Sequence, residues 1–153
     1  MTYSTTRVCP SCQTQNRIPA TRLADAARCG SCKAPLPPQS SPLEVNSDEF
    51  DAIIRTAPVP VFVDFWAAWC GPCRMAAPQV AALARDLAGK AVVLKVDTES
   101  NQELAASLRI QSIPNFVVFD KGRPVFQRAG LASAREMRNW VEAAISGAAQ
   151  PTS

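Results

Sequence analysis

Residues 61–73 read V-F-V-D-F-W-A-A-W-C-G-P-C. The run Val59–Trp66 is β-branched and aromatic, the composition of a strand buried on both faces. Cys70 and Cys73 follow at its end, with Gly71 and Pro72 between them. Proline suits the first turn of a helix, because its missing N–H would find no partner there anyway. A helix is therefore expected from Pro72 to about Leu87, where Ala and Leu recur at helical spacing, with a kink at Pro78. This puts Cys70 at a helix N-terminus, where free N–H groups and the helix dipole stabilise an anion. The Cys70 pKa should fall and leave more reactive thiolate at neutral pH. Cys73, one turn on, faces the same side but lies deeper. The pattern points to thiol–disulfide exchange, with half of a metal site as the alternative use of Cys-x-x-Cys.

Working outward, Leu43–Asn46 is a short strand candidate. Ser47 offers an N-cap before Phe50, Ile53 and Ile54 at helical spacing. Ala91–Val96 reads as a strand and Glu103–Leu108 as a short helix. Phe116–Asp120 and Val125–Arg128 flank Lys121–Gly122 and predict a hairpin. Ser133 and Glu136 form a capping box ahead of Met137, Trp140, Val141, Ala144 and Ile145, which trace one helix face. The order is β-α-β-α-β-α-β-β-α. Helices between strands imply an α/β fold with a parallel core sheet covered on both faces, and the terminal hairpin makes that sheet mixed.

The 153 residues suffice for one domain and a small appendage. Hydrophobic residues make up 47% and charged ones 19%, as in soluble globular proteins. No apolar run reaches membrane-spanning length, so no membrane association is expected. The start lacks the apolar core of a secretory signal, so a cytoplasmic, reducing location is expected. Six cysteines in that setting favour metal binding or redox catalysis over structural disulfides. K-A-P-L-P-P-Q-S-S-P at 33–42 reads as a stiff, exposed linker. The expected division is a cysteine-bearing head at 1–34, a Pro/Ser-rich linker at 35–42 and a body at 43–153. Up to residue 42 there are five Lys/Arg against one acidic residue, and beyond it eleven against twelve. Four metal-bound thiolates would offset the basic head, so nucleic acid is not the expected partner.

The head carries C-P-S-C at 9–12 and C-G-S-C at 29–32, sixteen residues apart. That spacing is a zinc pattern: each Cys-x-x-Cys turn supplies two thiolates, and two turns close a tetrahedron. The chain has no histidine, so the ligands must be Cys9, Cys12, Cys29 and Cys32. Four protein ligands leave no open position, which makes one Zn2+ structural and a staple for a piece too small to fold alone. Iron held by four thiolates, or two labile disulfides, are the rivals. Asp64 lies within an apolar strand, where burial should raise its pKa toward neutrality.

V-D-F-W-A-A-W-C-G-P-C-R resembles the active-site segment of the thioredoxin family. K-V-D at 95–97, I-Q-S-I-P-N at 110–115, F-V-V-F-D-K-G at 116–122 and R-A-G at 128–130 match in the right order. The cysteine-rich head resembles the extension of the thioredoxin-2 branch. The resemblance implies a thioredoxin fold preceded by a four-cysteine zinc module, with protein disulfide reductase activity and no organic cofactor. It implies that Cys70 and Cys73 are the redox pair, that Asp64 moves the Cys73 proton, and that Lys95 lies near Asp64 and tunes its charge. It implies a cis bond before Pro114 and a partner-binding groove from Trp69, Gly71, Pro72, Ile113, Pro114 and Gly130. Asn115 and Ala68 depart from residues common in the family. Disulfide-containing proteins and an NADPH-dependent thioredoxin reductase are the implied partners of a monomeric chain. A zinc-regulated redox-sensing adaptor is the alternative function.

Overall fold

The computed structural model describes residues 3–147. A five-stranded mixed sheet forms its centre. In spatial order the strands are β5 (Leu43–Glu44), β7 (Val92–Asp97), β6 (Val61–Trp66), β8 (Asn115–Asp120) and β9 (Arg123–Ala129). β5 and β6 run parallel to β7, while β8 is antiparallel to both β6 and β9. Four helices connect them: α1 (Ser47–Thr56), α2 (Gly71–Asp86), α3 (Gln102–Ser107) and α4 (Ala134–Ile145). This is the α/β order read from the sequence. The cap of α1 differs by one residue: Asn46, not Ser47, takes the N-cap, and its side chain accepts from the Glu49 N–H. Asn46 can accept at that distance while Glu49 reaches back to the Asn46 N–H at 2.9 Å, a reciprocal box that fixes the helix start. Lys121 and Gly122 both take positive φ, as a two-residue hairpin turn demands.

Period-two alternation sends the sheet's side chains into two cores. Val61, Val63, Phe65, Leu94, Val96 and Val117 pack with Phe50 and Ile53 of α1. Phe62, Val93, Phe116 and Val118 pack under Val80 and Leu83 of α2 and Met137 and Val141 of α4. Asp64 is two residues from Phe62, so it points to the α2 side.

The head is built from two similar hairpins. β1 (Ser4–Val8) pairs with β2 (Gln15–Pro19), and β3 (Ala27–Arg28) with β4 (Pro35–Leu36). The exposed linker expected over 35–42 is corrected at its start: Pro35 and Leu36 form β4, and Leu36 is buried. Its partner strand gives the backbone a ladder that composition did not reveal. The head is also docked. Ile18, Ala20, Leu23 and Ala24 enter the same core as Phe50 and Ile53. Arg7, itself buried, donates to the carbonyls of Leu23, Asp25 and Pro37 at 2.7, 2.8 and 3.0 Å. One guanidinium thus ties both ends of the second hairpin to the first, satisfying carbonyls that strands this short leave unpaired.

Candidate functional site

Cys70 is the N-cap residue of α2. Its backbone is extended, Pro72 stands in the first turn, and the Cys73 N–H donates to Cys70 Sγ at 3.1 Å. The sulfur occupies the position a serine or aspartate oxygen takes in an ordinary cap, so negative charge there is met by a free N–H and the helix dipole. Cys70 and Cys73 are joined as a disulfide, and both are buried against Ala67, Trp66 and Ile113. A side chain at Gly71 would meet nothing within 4 Å, so the space beside Gly71 is open.

Beside Cys70 runs an open groove of about 470 Å³, with Trp69, Cys70, Gly71, Pro72 and Ile113 on its wall and α3 opposite. Trp69 is 66% exposed, a large apolar surface open to solvent. The Ile113–Pro114 bond is cis. The Ile113 carbonyl lies 3.7 Å from Cys70 Sγ, and the Pro114 carbonyl accepts from the Gly130 N–H at 2.9 Å. Gly130 has φ of +95°, a conformation other residues rarely adopt. It stands next to Pro114, outside the groove itself. Of the residues named for partner binding, Trp69, Gly71, Pro72 and Ile113 line the groove beside Cys70, and Pro114 and Gly130 lie behind Ile113.

Asp64 is 1% exposed, and neither carboxylate oxygen has a hydrogen-bond partner among the described residues. Burial, partly opposed by Lys95 and reinforced by Glu44, pushes its pKa up to about 7. Lys95 pairs with Asp64 in the β6–β7 register. Its ammonium, however, sits 4.7 Å from the Trp66 ring centroid, and no ion pair joins it to Asp64 among the described residues. Asn115 is buried and donates to the Ser112 carbonyl at 3.3 Å, and its own oxygen accepts from Gln127 at 3.2 Å. This departure from the family is thus bonded into the loop that carries Pro114. Gln127 and Glu44, which accepts from the Trp66 indole N–H at 3.2 Å, are the polar partners that sequence reading missed. Both act across strand register, which a linear pattern does not display.

The second constellation lies in the head. The sulfurs of Cys9, Cys12, Cys29 and Cys32 all lie within 4.8 Å of one another. Cys9–Cys32 and Cys12–Cys29 approach to 3.6 Å. A tetrahedral Zn2+ with thiolates at about 2.3 Å spaces its sulfurs by about 3.8 Å, so the donor set fits. The two turns are built alike. The Ser11 N–H donates to Cys9 Sγ and the Ser31 N–H to Cys29 Sγ, each at 3.4 Å. Gln13 and Lys33 both turn at positive φ and donate to the carbonyls of Cys9 and Cys29. The Cys32 N–H leads the donors that pull the Cys29 thiol down to about 6. The Ala34 N–H favours Cys32 thiolate too, but crowding by Cys12, burial and the other sulfurs push Cys32 up to about 11. Four thiols this close cannot all ionise unless a cation joins them.

A sulfur capping a helix, with a second sulfur bonded behind it and an open groove alongside, can cycle between dithiol and disulfide. The class that fold and site define is a thiol–disulfide oxidoreductase. Residues 41–143 match the family model described as Thioredoxin, and residues 8–34 match the zinc-ribbon model described as Thioredoxin 2, N-terminal. Thioredoxin C-3 of Corynebacterium nephridii is 38% identical over 135 residues, covering 88% of this chain and 92% of that protein. Thioredoxin 1 of Chlorobaculum tepidum is 42% identical over 95 residues, 62% of this chain and 94% of its own. The solved structure of a mutant thioredoxin from Halobacterium salinarum superposes with a TM-score of 0.64 at 33% identity, over 69% of this chain and 91% of that one. The chain belongs to the thioredoxin family. It is a protein disulfide reductase that works through the Cys70–Cys73 pair.

Proposed function

We propose the following division of labour for that activity. Cys70 thiolate attacks a disulfide sulfur of a protein held in the groove, forms a mixed disulfide and expels one substrate thiolate, which takes a proton from water. Asp64 accepts the Cys73 proton. Cys73 thiolate then attacks Cys70 Sγ and releases the second substrate thiolate. The substrate gains two electrons and the Cys70–Cys73 dithiol becomes a disulfide. Lys95 tunes Asp64. Trp69 offers an apolar contact, Gly71, Pro72 and Gly130 leave room for a partner backbone, and Ile113 and Pro114 present backbone to an extended segment. The observation carrying this reading is the Cys73 N–H donated to Cys70 Sγ at the α2 N-cap.

On the same reading, 43–153 is the redox domain and 1–34 a module whose four cysteines hold one structural Zn2+. The sulfur cluster supports it: bound there, the ion would neutralise the thiolates and close the two turns on each other. The chain works as a monomer in the cytoplasm, where free thiols persist, and an NADPH-dependent thioredoxin reductase renews the dithiol. The test is NADPH-coupled reduction of a protein disulfide with a thioredoxin reductase. Turnover that disappears in Cys70→Ser is expected. A folded, zinc-loaded wild type without turnover would overturn the proposal and favour an adaptor that docks on partners.

A further inference from the structure

Asp64, Lys95 and Glu44 stand in one row across three neighbouring strands. β6 pairs Asp64 with Lys95, and β5 pairs Glu44 with the same Lys95. Lys95 thus has a carboxylate on either side. It closes an ion pair with neither among the described residues. Instead its ammonium lies over Trp66, 4.7 Å from the ring centroid. The Trp66 indole N–H is in turn fixed to Glu44 Oε2 at 3.2 Å. We propose that Glu44 is a positioning residue for the exchange reaction: it anchors Trp66 and draws Lys95 toward the sheet edge, leaving Asp64 without a counter-ion. The proposal rests on the reading that Asp64 takes the Cys73 proton.

Geometry and charge act in the same direction. A carboxylate that cannot close an ion pair is a stronger base than one that can. Asp64 has both oxygens unpartnered and buried, and Glu44 itself adds to the upward push on it. The other groups on that face do not replace Glu44. On β7, Asp97 stands two residues past Lys95 and accepts from the Glu99 N–H at 2.8 Å. On β8, Phe116 pairs with Asp64 and carries no charge. Beyond it on β9, Arg128 pairs with Phe116, lies over Trp140 and is 3.9 Å from Glu136. From the helices, α2 buries Cys73, held in the disulfide with Cys70, and the buried face of α4 is Met137, Val141 and Ala144. Glu44 lies at the sheet edge beside an open hollow that also touches Trp66; partial burial raises its pKa, while the Trp66 N–H and Lys95 favour its charged form.

Removing the Glu44 charge should let Lys95 turn to Asp64 and lower the pH at which Asp64 ionises. Glu44 and Asp64 are two strand spacings apart, about 10 Å, and a unit charge at that distance moves a titration by about half to one pH unit at an effective dielectric of about 20–40. The experiment follows Asp64 by carboxyl carbon NMR in the full, zinc-loaded chain, with single-turnover reduction of a protein disulfide measured between pH 5 and 9. Glu44→Gln keeps an oxygen for the Trp66 N–H and loses only the charge. Its midpoint should fall by about half to one unit, while Glu44→Asp, which keeps the charge, should stay near the wild type. Equal midpoints in Glu44→Gln and wild type would overturn the proposal, as would a shift of the same size in Glu44→Asp. Asp64→Asn separates the underlying reading. If it leaves the pH profile of the reaction as in the wild type, Asp64 is not the acceptor and that reading fails whatever Glu44 does.

Discussion

Asp64→Asn should stabilise the oxidised protein, by an amount that grows with pH. The carboxyl ionises near 3.8 when exposed and at about 7 in the fold, because burial disfavours its charged form. The sign follows from proton uptake. A raised pKa means the folded state holds the proton over a range where the unfolded state has lost it, so rising pH favours unfolding. The cost is absent below about pH 4, grows by about 1.4 kcal/mol per pH unit from there to neutrality, and levels off at about 4 kcal/mol above pH 7. Asparagine stays neutral and escapes it. Its amide inherits the unpartnered site, at a penalty of about 1–3 kcal/mol that does not vary with pH. The diagnostic is therefore the slope. Denaturant unfolding of oxidised wild type and variant at pH 5 and pH 8.5 should show the stability difference shifting in favour of Asn by about 2–3 kcal/mol between the two conditions. Loss of metal at low pH affects both chains alike and cancels in the difference. A gap that is flat across that range would refute the argument: Asp64 would then be solvated or ion-paired in the fold, with no proton held at neutrality.

Two further outcomes bear on the head. Leu23 is 1% exposed inside the core it shares with α1 and β6. Leu23→Ala should cost about 2–5 kcal/mol and lower the unfolding midpoint of the whole chain; an early melting of the head with an unchanged body transition would show that the shared core transmits nothing. Cys29→Ser should lower bound zinc from one per chain to none by metal analysis and melt the two hairpins by circular dichroism, since three thiolates no longer close the tetrahedron. Disulfide reduction by Cys70–Cys73 should survive that change.

The body was legible because its signals are local and agree with one another. Val61 to Trp66 carries a buried strand's composition, Pro72 announces a helix start, and Lys121–Gly122 supplies the turn of a hairpin. The head was legible only as chemistry. Its strands are two to five residues long, too short for any periodicity to register. Leu36 sits among four prolines whose composition says spacer, and only the pairing with Ala27 shows that it is a core residue. Docking of Ile18 and Leu23 on α1 was hidden for the same reason: a few apolar residues in a polar stretch do not say which surface they meet. Asn46 displaced Ser47 as the cap because both can fill the role and adjacent positions compete. Register explains the last gap. That Lys95 lies between Asp64 and Glu44 depends on how β5 and β6 align on β7, which two residues of β5 determine.

On the proposed reading, three Cys-x-x-Cys pairs do two kinds of work in this chain, and the backbone around each decides which. In the head, each pair closes a turn between two short strands. The next residue, Gln13 or Lys33, takes positive φ and its N–H returns to the first cysteine's carbonyl. Sulfurs from the two turns converge, and their thiolates can coexist only around a cation. At 70–73 the pair opens a sixteen-residue helix instead. Among the described residues no second pair converges there; the facing group is the Ile113 carbonyl, and the charge of one thiolate is met by the α2 terminus. Pro72 is compatible with that helix start, and the space beside Gly71 is open. Cys-Pro-Ser-Cys in the head also contains a proline, at position 10, but the chain turns back at Gln13 before a helix can form. The spacing of the cysteines is the same in all three pairs, so spacing alone does not separate redox chemistry from metal binding. The element that follows the second cysteine does.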